Sequence, residues 1–111
     1  LVICERGASQ RRHMRDLESR HPIVGATRSL GLFGMIELVK DRTSMEPMAP
    51  FNGTSEPMLA LGRFLRQEGL YTFVRWNTIM TNPPLTISEE ELAQGFDIID
   101  RGLGAIAGSA A

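Results

Sequence analysis

The chain has 111 residues, 42% apolar and 23% charged, which is the make-up of one globular domain rather than of a disordered or fibrous segment. Twelve basic residues are scattered among thirteen acidic ones for a net charge of −1, so no basic stripe exists to release counterions from a nucleic-acid backbone. Cys4 is the only cysteine, which excludes an intrachain disulfide and a paired-cysteine zinc framework and suits a reducing cytoplasm; the short apolar runs exclude a membrane span.

From Leu1 to about Arg20 the residues are helix formers without proline, and His21-Pro22 imposes extended backbone and ends that helix. The chain opens at Leu1 rather than at methionine, inside this helix, which points to a piece of something longer. Ile23 to Arg28 and Leu32 to Val39 are apolar, β-branched runs joined by Ser29-Leu30-Gly31 and predict two strands with a tight connection. Lys40 to Thr54, with Pro47, Pro50 and Asn52-Gly53, predicts a long surface loop. Met58, Leu61 and Leu65 share a helical face over Glu56 to Glu68, and Gly69 supplies a left-handed stop.

Tyr71 to Val74 and Thr78 to Met80 predict two further strands, the latter ended by Pro83-Pro84. Ser88 and Glu91 form a capping box, Ile87 and Leu92 stand where a hydrophobic staple closes, and Leu92, Phe96, Ile99, Leu103 and Ile106 line one face of a last helix. Its Gly108-Ser109-Ala110-Ala111 tail is expected to fray. The order is helix, two strands, helix, two strands, helix: an α+β fold with a small antiparallel sheet covered by helices, in one domain over residues 1–111.

Several patterns invite chemistry and have plainer readings. Ser29-Leu30-Gly31-Leu32-Phe33-Gly34 approaches a phosphate-cradling glycine loop, but Met35 to Val39 reads as strand, not as the helix such a loop must open. His13 and His21 are eight positions apart with no partner at metal spacing and read as surface histidines. Glu89-Glu90-Glu91 falls in a first helical turn, where capping and the macrodipole account for it. Asn52-Gly53-Thr54 matches a glycosylation acceptor by chance. Lys40, the only lysine, sits near Glu37 and Asp41, which favour its charged form and disfavour a nucleophilic role. Arg75, between the two last strands, reads either as a structural arginine on Trp76 or an acid, or as a bidentate carboxylate clamp.

Four stretches in register resemble the small domain of class III (omega-amino-acid type) aminotransferases: His21 to Gly25, Arg28 to Val39, Gln67-Glu68-Gly69-Leu70, and Asn82 to Ile87 before the capped helix. The resemblance covers nearly the whole chain. It implies the C-terminal small domain of a fold-type I enzyme whose pyridoxal phosphate is held, on its Schiff-base lysine, by a large domain not contained in this chain. The 111 residues alone are then inactive, hold no catalytic, cofactor-binding or metal residue, and contribute substrate clamping and closure.

The parent would exchange an amino group between an omega- or beta-amino donor and a 2-oxo acid, as a cytoplasmic homodimer. Arg75 is similar to the carboxylate-binding arginine that many members carry before the double proline, although the stretch to Pro83 is slightly shorter here; Met80 stands where other members place an arginine. Arg28 matches a position of structural character. The alternative is a stand-alone α+β binding or regulatory module.

Overall fold

The computed structural model describes residues 2–30, 33–49, 53, 55–70, 73–81 and 87–110, with side chains described except at 2–6, 30, 73, 75 and 108–110. The elements run α1 (Val2–Arg20), β1 (Val24–Leu30), β2 (Phe33–Asp41), β3 (Glu46–Pro47), α2 (Glu56–Gln67), β4 (Phe73–Arg75), β5 (Thr78–Thr81) and α3 (Glu89–Ala110). All pairings are antiparallel: the strands lie in the order β1-β2-β5-β4, with β3 added to β2. The expected α+β architecture is present.

The sheet is two-faced because its strands alternate. Gly34, Ile36 and Leu38 of β2 are buried on one face, while Met35 and Glu37 between them are half-buried on the other. Ile36 pairs with Ile79 and with Thr27, which carries the buried row across β2 into both neighbours. Helix residues Met14, Leu17, Met58, Leu61, Leu65, Leu92, Phe96, Ile99, Leu103 and Ile106 complete one core with it. Gly34 is the closest point of approach: an added Cβ would lie 2.2 Å from Met14 Cε and 2.6 Å from Thr81 Oγ1.

The helix ends form where the sequence marks them. At α3, Glu91 N–H donates to Ser88 Oγ and Ser88 N–H to Glu91 Oε1, both at 3.1 Å, and these bonds hold the Glu91 carboxyl below the usual carboxylate range. At the end of α2, Gly69 adopts φ +87° and Leu70 N–H reaches back to Leu65 O at 2.8 Å, so the chain turns with its last carbonyls satisfied. Helices α2 and α3 pack closely at Gly102, where a Cβ would be 2.9 Å from Leu61 Cδ1.

Three expectations are corrected. The stretch read as a surface loop contains the end of β2, strand β3 and a buried turn: Met48 is fully buried, Ala49 is 1% exposed, and Met48 N–H donates to Leu38 O at 3.0 Å. Its prolines tolerate this because Pro47 lies in a two-residue edge strand. The α3 helix continues to Ala110 instead of fraying over its last residues. His21 is not a surface histidine: its side chain is 14% exposed and its Nε2 lies 2.6 Å from Asp100 Oδ1. The glycosylation-like Asn52 and Thr54, the Gly31-Leu32 connection, Tyr71-Thr72 and the double proline lie outside the described residues.

Candidate functional site

Arg75 is the last residue of β4, not a linker between strands, and its backbone pairs with Thr78 of β5. Thr78 pairs in turn with Glu37, and Glu37 with Ala26, so one cross-strand row runs Arg75, Thr78, Glu37, Ala26. The Arg75 side chain is outside the described residues. What the structure does show is how its backbone is held.

The β4–β5 turn is two residues long, and Trp76 takes φ +33°, a conformation that costs a non-glycine residue on the order of 1 kcal/mol. Asn77 offsets that cost. Its carbonyl accepts from Leu38 N–H at 2.8 Å and its Nδ2 donates to Leu38 O at 3.1 Å, so the amide side chain completes a strand-like pair with β2. Thr78 Oγ1 lies 3.3 Å from Asn77 Oδ1, and Thr78 itself is buried. Asn77 is not singled out by the sequence patterns above; an asparagine in a two-residue connection between strand-forming runs is the cue the sequence carries.

Other residues of interest are dispersed. Arg28 Nη1 pairs with Glu37 Oε1 at 3.1 Å across β1 and β2. Lys40 is half-exposed near the end of β2, 3.9 Å from Glu46. The near-glycine-loop motif leads from β1 into β2, as expected. Glu89 accepts from Ser9 Oγ at 2.6 Å, joining α3 to α1. His13 stacks on Phe96 with ring centroids 5.1 Å apart. Among the described residues no group of three His, Cys, Asp or Glu side chains converges as metal ligands, and no helix is long and apolar enough to cross a membrane.

Asp100 gathers the charges between α1 and α3. Burial raises its carboxyl, but the hydrogen bond to His21 and the neighbouring charges of Arg20 and His21 outweigh this, so it titrates below its ordinary value. Arg20 Nη1 is 3.1 Å from Asp100, and the same guanidinium also binds Asp16. This network fastens α1 to α3.

No family model matches the chain. It is 30% identical over 100 residues to isoleucine 2-epimerase of Lentilactobacillus buchneri, covering 90% of this chain and 21% of that protein. It is 31% identical over 94 residues to taurine–pyruvate aminotransferase of Bilophila wadsworthia, covering 76% and 20%. The structure superposes with a TM-score of 0.91 and 26% identity on taurine:2-oxoglutarate aminotransferase from Bifidobacterium kashiwanohense, solved in complex with PLP and glutamate, over 99% of this chain and 25% of that one. The chain thus spans only about a fifth of the length of the curated relatives it matches. On the agreement of sequence and fold, the chain belongs to the class III pyridoxal-phosphate-dependent aminotransferase family.

Proposed function

We propose that the chain is the C-terminal small domain of a transaminase that moves an amino group between an omega- or beta-amino compound and a 2-oxo acid, and that its part is to clamp substrate and close over the site. The observation that carries this is the near-complete superposition on an aminotransferase of which the chain covers a quarter. Pyridoxal phosphate supplies the electron sink in such enzymes, while protein groups orient the substrate. The described residues do not fit as its holder: Lys40, the chain's only lysine, is half-exposed and paired with Glu46. The cofactor then belongs to the rest of the parent, a homodimer of the cytoplasm.

Within this reading Arg75 binds the substrate carboxylate. A guanidinium presents a planar fork that matches a carboxylate, and a lysine cannot reproduce it. The support is positional: Arg75 precedes a turn fixed to β2 by both polar groups of Asn77, so its Cα has a defined place. In the full-length parent, Arg75→Lys should lower kcat/KM for carboxylate-bearing donors by roughly tenfold or more, about 1.4 kcal/mol per decade, and leave amines without a carboxylate nearly unchanged in their half-reaction. Equal losses for both classes would return Arg75 to a structural role.

A further inference from the structure

Two segments of the chain meet at Leu38. The β2–β5 ladder is in register as far as Glu37 and Thr78, and the next pair, Leu38 with Asn77, is completed by a side chain. Leu38 N–H donates to Asn77 O at 2.8 Å, as in a regular antiparallel pair, but the bond returned to Leu38 O, at 3.1 Å, comes from Asn77 Nδ2. Leu38 is fully buried, and its carbonyl also accepts from Met48 N–H at 3.0 Å, just after β3. One carbonyl thus joins the β4–β5 turn to the Met48 segment.

The choice of residue type at this turn is narrow. An ionised aspartate would face Leu38 O with an acceptor and no donor, and an alanine would offer neither. Either change leaves the turn one of its two bonds to β2, while Trp76 still holds φ +33°. Arg75 pairs with Thr78 at the end of β4, so the same turn sets where its Cα lies and the direction in which β4 ends. Recognition of a carboxylate by a planar guanidinium is directional, and misplacing a binding group by about 1 Å can cost on the order of a hundredfold in rate.

We propose that Asn77 is the positioning residue of the substrate clamp: its side-chain bond to Leu38 O fixes the backbone that carries Arg75, so Asn77 sets the affinity for carboxylate substrates by acting through Arg75. The inference rests on the reading of Arg75 as the carboxylate-binding residue. It adds that the geometry of the clamp is set from β2, the strand whose Ile36 and Leu38 belong to the core.

The test is made in the full-length parent with its cofactor bound. Asn77→Ala should raise KM for carboxylate-bearing donors about tenfold, keep kcat at saturation within about twofold of wild type, and leave the half-reaction of amines without a carboxylate unchanged. Asn77→Asp, of the same shape, should do the same and carries the comparison if the alanine variant does not fold. Ser88→Ala, which removes the α3 cap elsewhere in the domain, controls for lost stability and should not change the ratio between the two donor classes. In an Arg75→Lys background Asn77→Ala should add little, since the two residues act as one unit. With Arg75→Lys itself discriminating the donor classes, equal losses for both classes in the Asn77 variants, or a change in ratio no larger than that of Ser88→Ala, overturn the positioning role. A full Asn77 effect in the Arg75→Lys background overturns it as well, because the side chain then acts through another group. Failure of Arg75→Lys to discriminate the classes is a separate result: it sinks the reading of Arg75, and this inference with it.

Discussion

The end of α1 depends on a side chain 24 positions further along the chain from the carbonyl it caps. Glu18 O would ordinarily accept from the N–H four residues on, but that residue is Pro22, which has none. Arg42, just past β2, supplies the donor: its Nη2 reaches Glu18 O at 2.7 Å, His21 O at 2.8 Å and Val24 O at 2.9 Å. In Arg42→Ala, His21 O keeps the Val24 N–H at 3.0 Å, whereas Glu18 O and the part-buried Val24 O lose the partner described for them. A hydrogen bond from a charged donor contributes about 1.5–3 kcal/mol, and a cation at a helix C-terminus a further 0.3–1 or so. Discounted for the exposure of Arg42, the sum is about 2 kcal/mol, or roughly 10 °C in Tm for a domain of this size. Urea and thermal unfolding of the 111-residue chain measure it. Because all three contacts pass through one nitrogen, Arg42→Lys should recover more than half of the loss and Arg42→Gln little. An Arg42→Ala chain within about 0.5 kcal/mol of wild type would refute the capping role, and equal stability of the lysine and glutamine variants would show that the charge is idle.

Three further outcomes are expected. Phe96→Ala should cost about 3–5 kcal/mol by denaturation, since Phe96 is 5% exposed and also stacks on His13; an unchanged midpoint would mean the α3 face is not core. Gly34→Ala should destabilise by about 1–3 kcal/mol, because the flexible Met14 tip can retreat but Thr81 Oγ1, hydrogen-bonded to Gln10 at 3.2 Å, is held; a neutral result would show slack beneath β2. The Asp100 carboxyl is lowered in the folded state, so its stabilisation is present above the ordinary aspartate range near pH 4 and disappears as pH falls through the folded value. Asp100→Asn should flatten that acid limb of the stability curve, and an unaltered limb would exclude Asp100 as its source.

Periodicity and caps made much of this fold legible. The apolar stripe of α3, its Ser88/Glu91 box and the Gly69 stop are local signals, and each appears where its chemistry puts it. What escaped was long-range. Met48 and Ala49 are buried because β2 and its partners surround them, and nothing in a proline-punctuated stretch announces that. His21 reads as a surface residue until α3 brings Asp100 to it from 79 positions away. At the candidate site Arg75 could be picked out by chemistry and resemblance, but the two bonds from Asn77 to Leu38 depend on a strand 39 positions earlier in the chain.

The strand order also sets an order of assembly. Leu30 and Phe33 pair almost next to each other in the chain, whereas Ile36 and Ile79, 43 positions apart, must find each other across α2. Loop-closure entropy for the second pairing exceeds that for the first by roughly 2 kcal/mol. The β1–β2 hairpin is therefore the inexpensive nucleus, and the β4–β5 hairpin carrying Arg75, Trp76 and Asn77 joins it late, after much of the domain has condensed. Interactions made late act mainly on the unfolding rate. The Asn77–Leu38 bonds thus serve as a latch: they govern how long the hairpin stays docked far more than how fast the domain first forms.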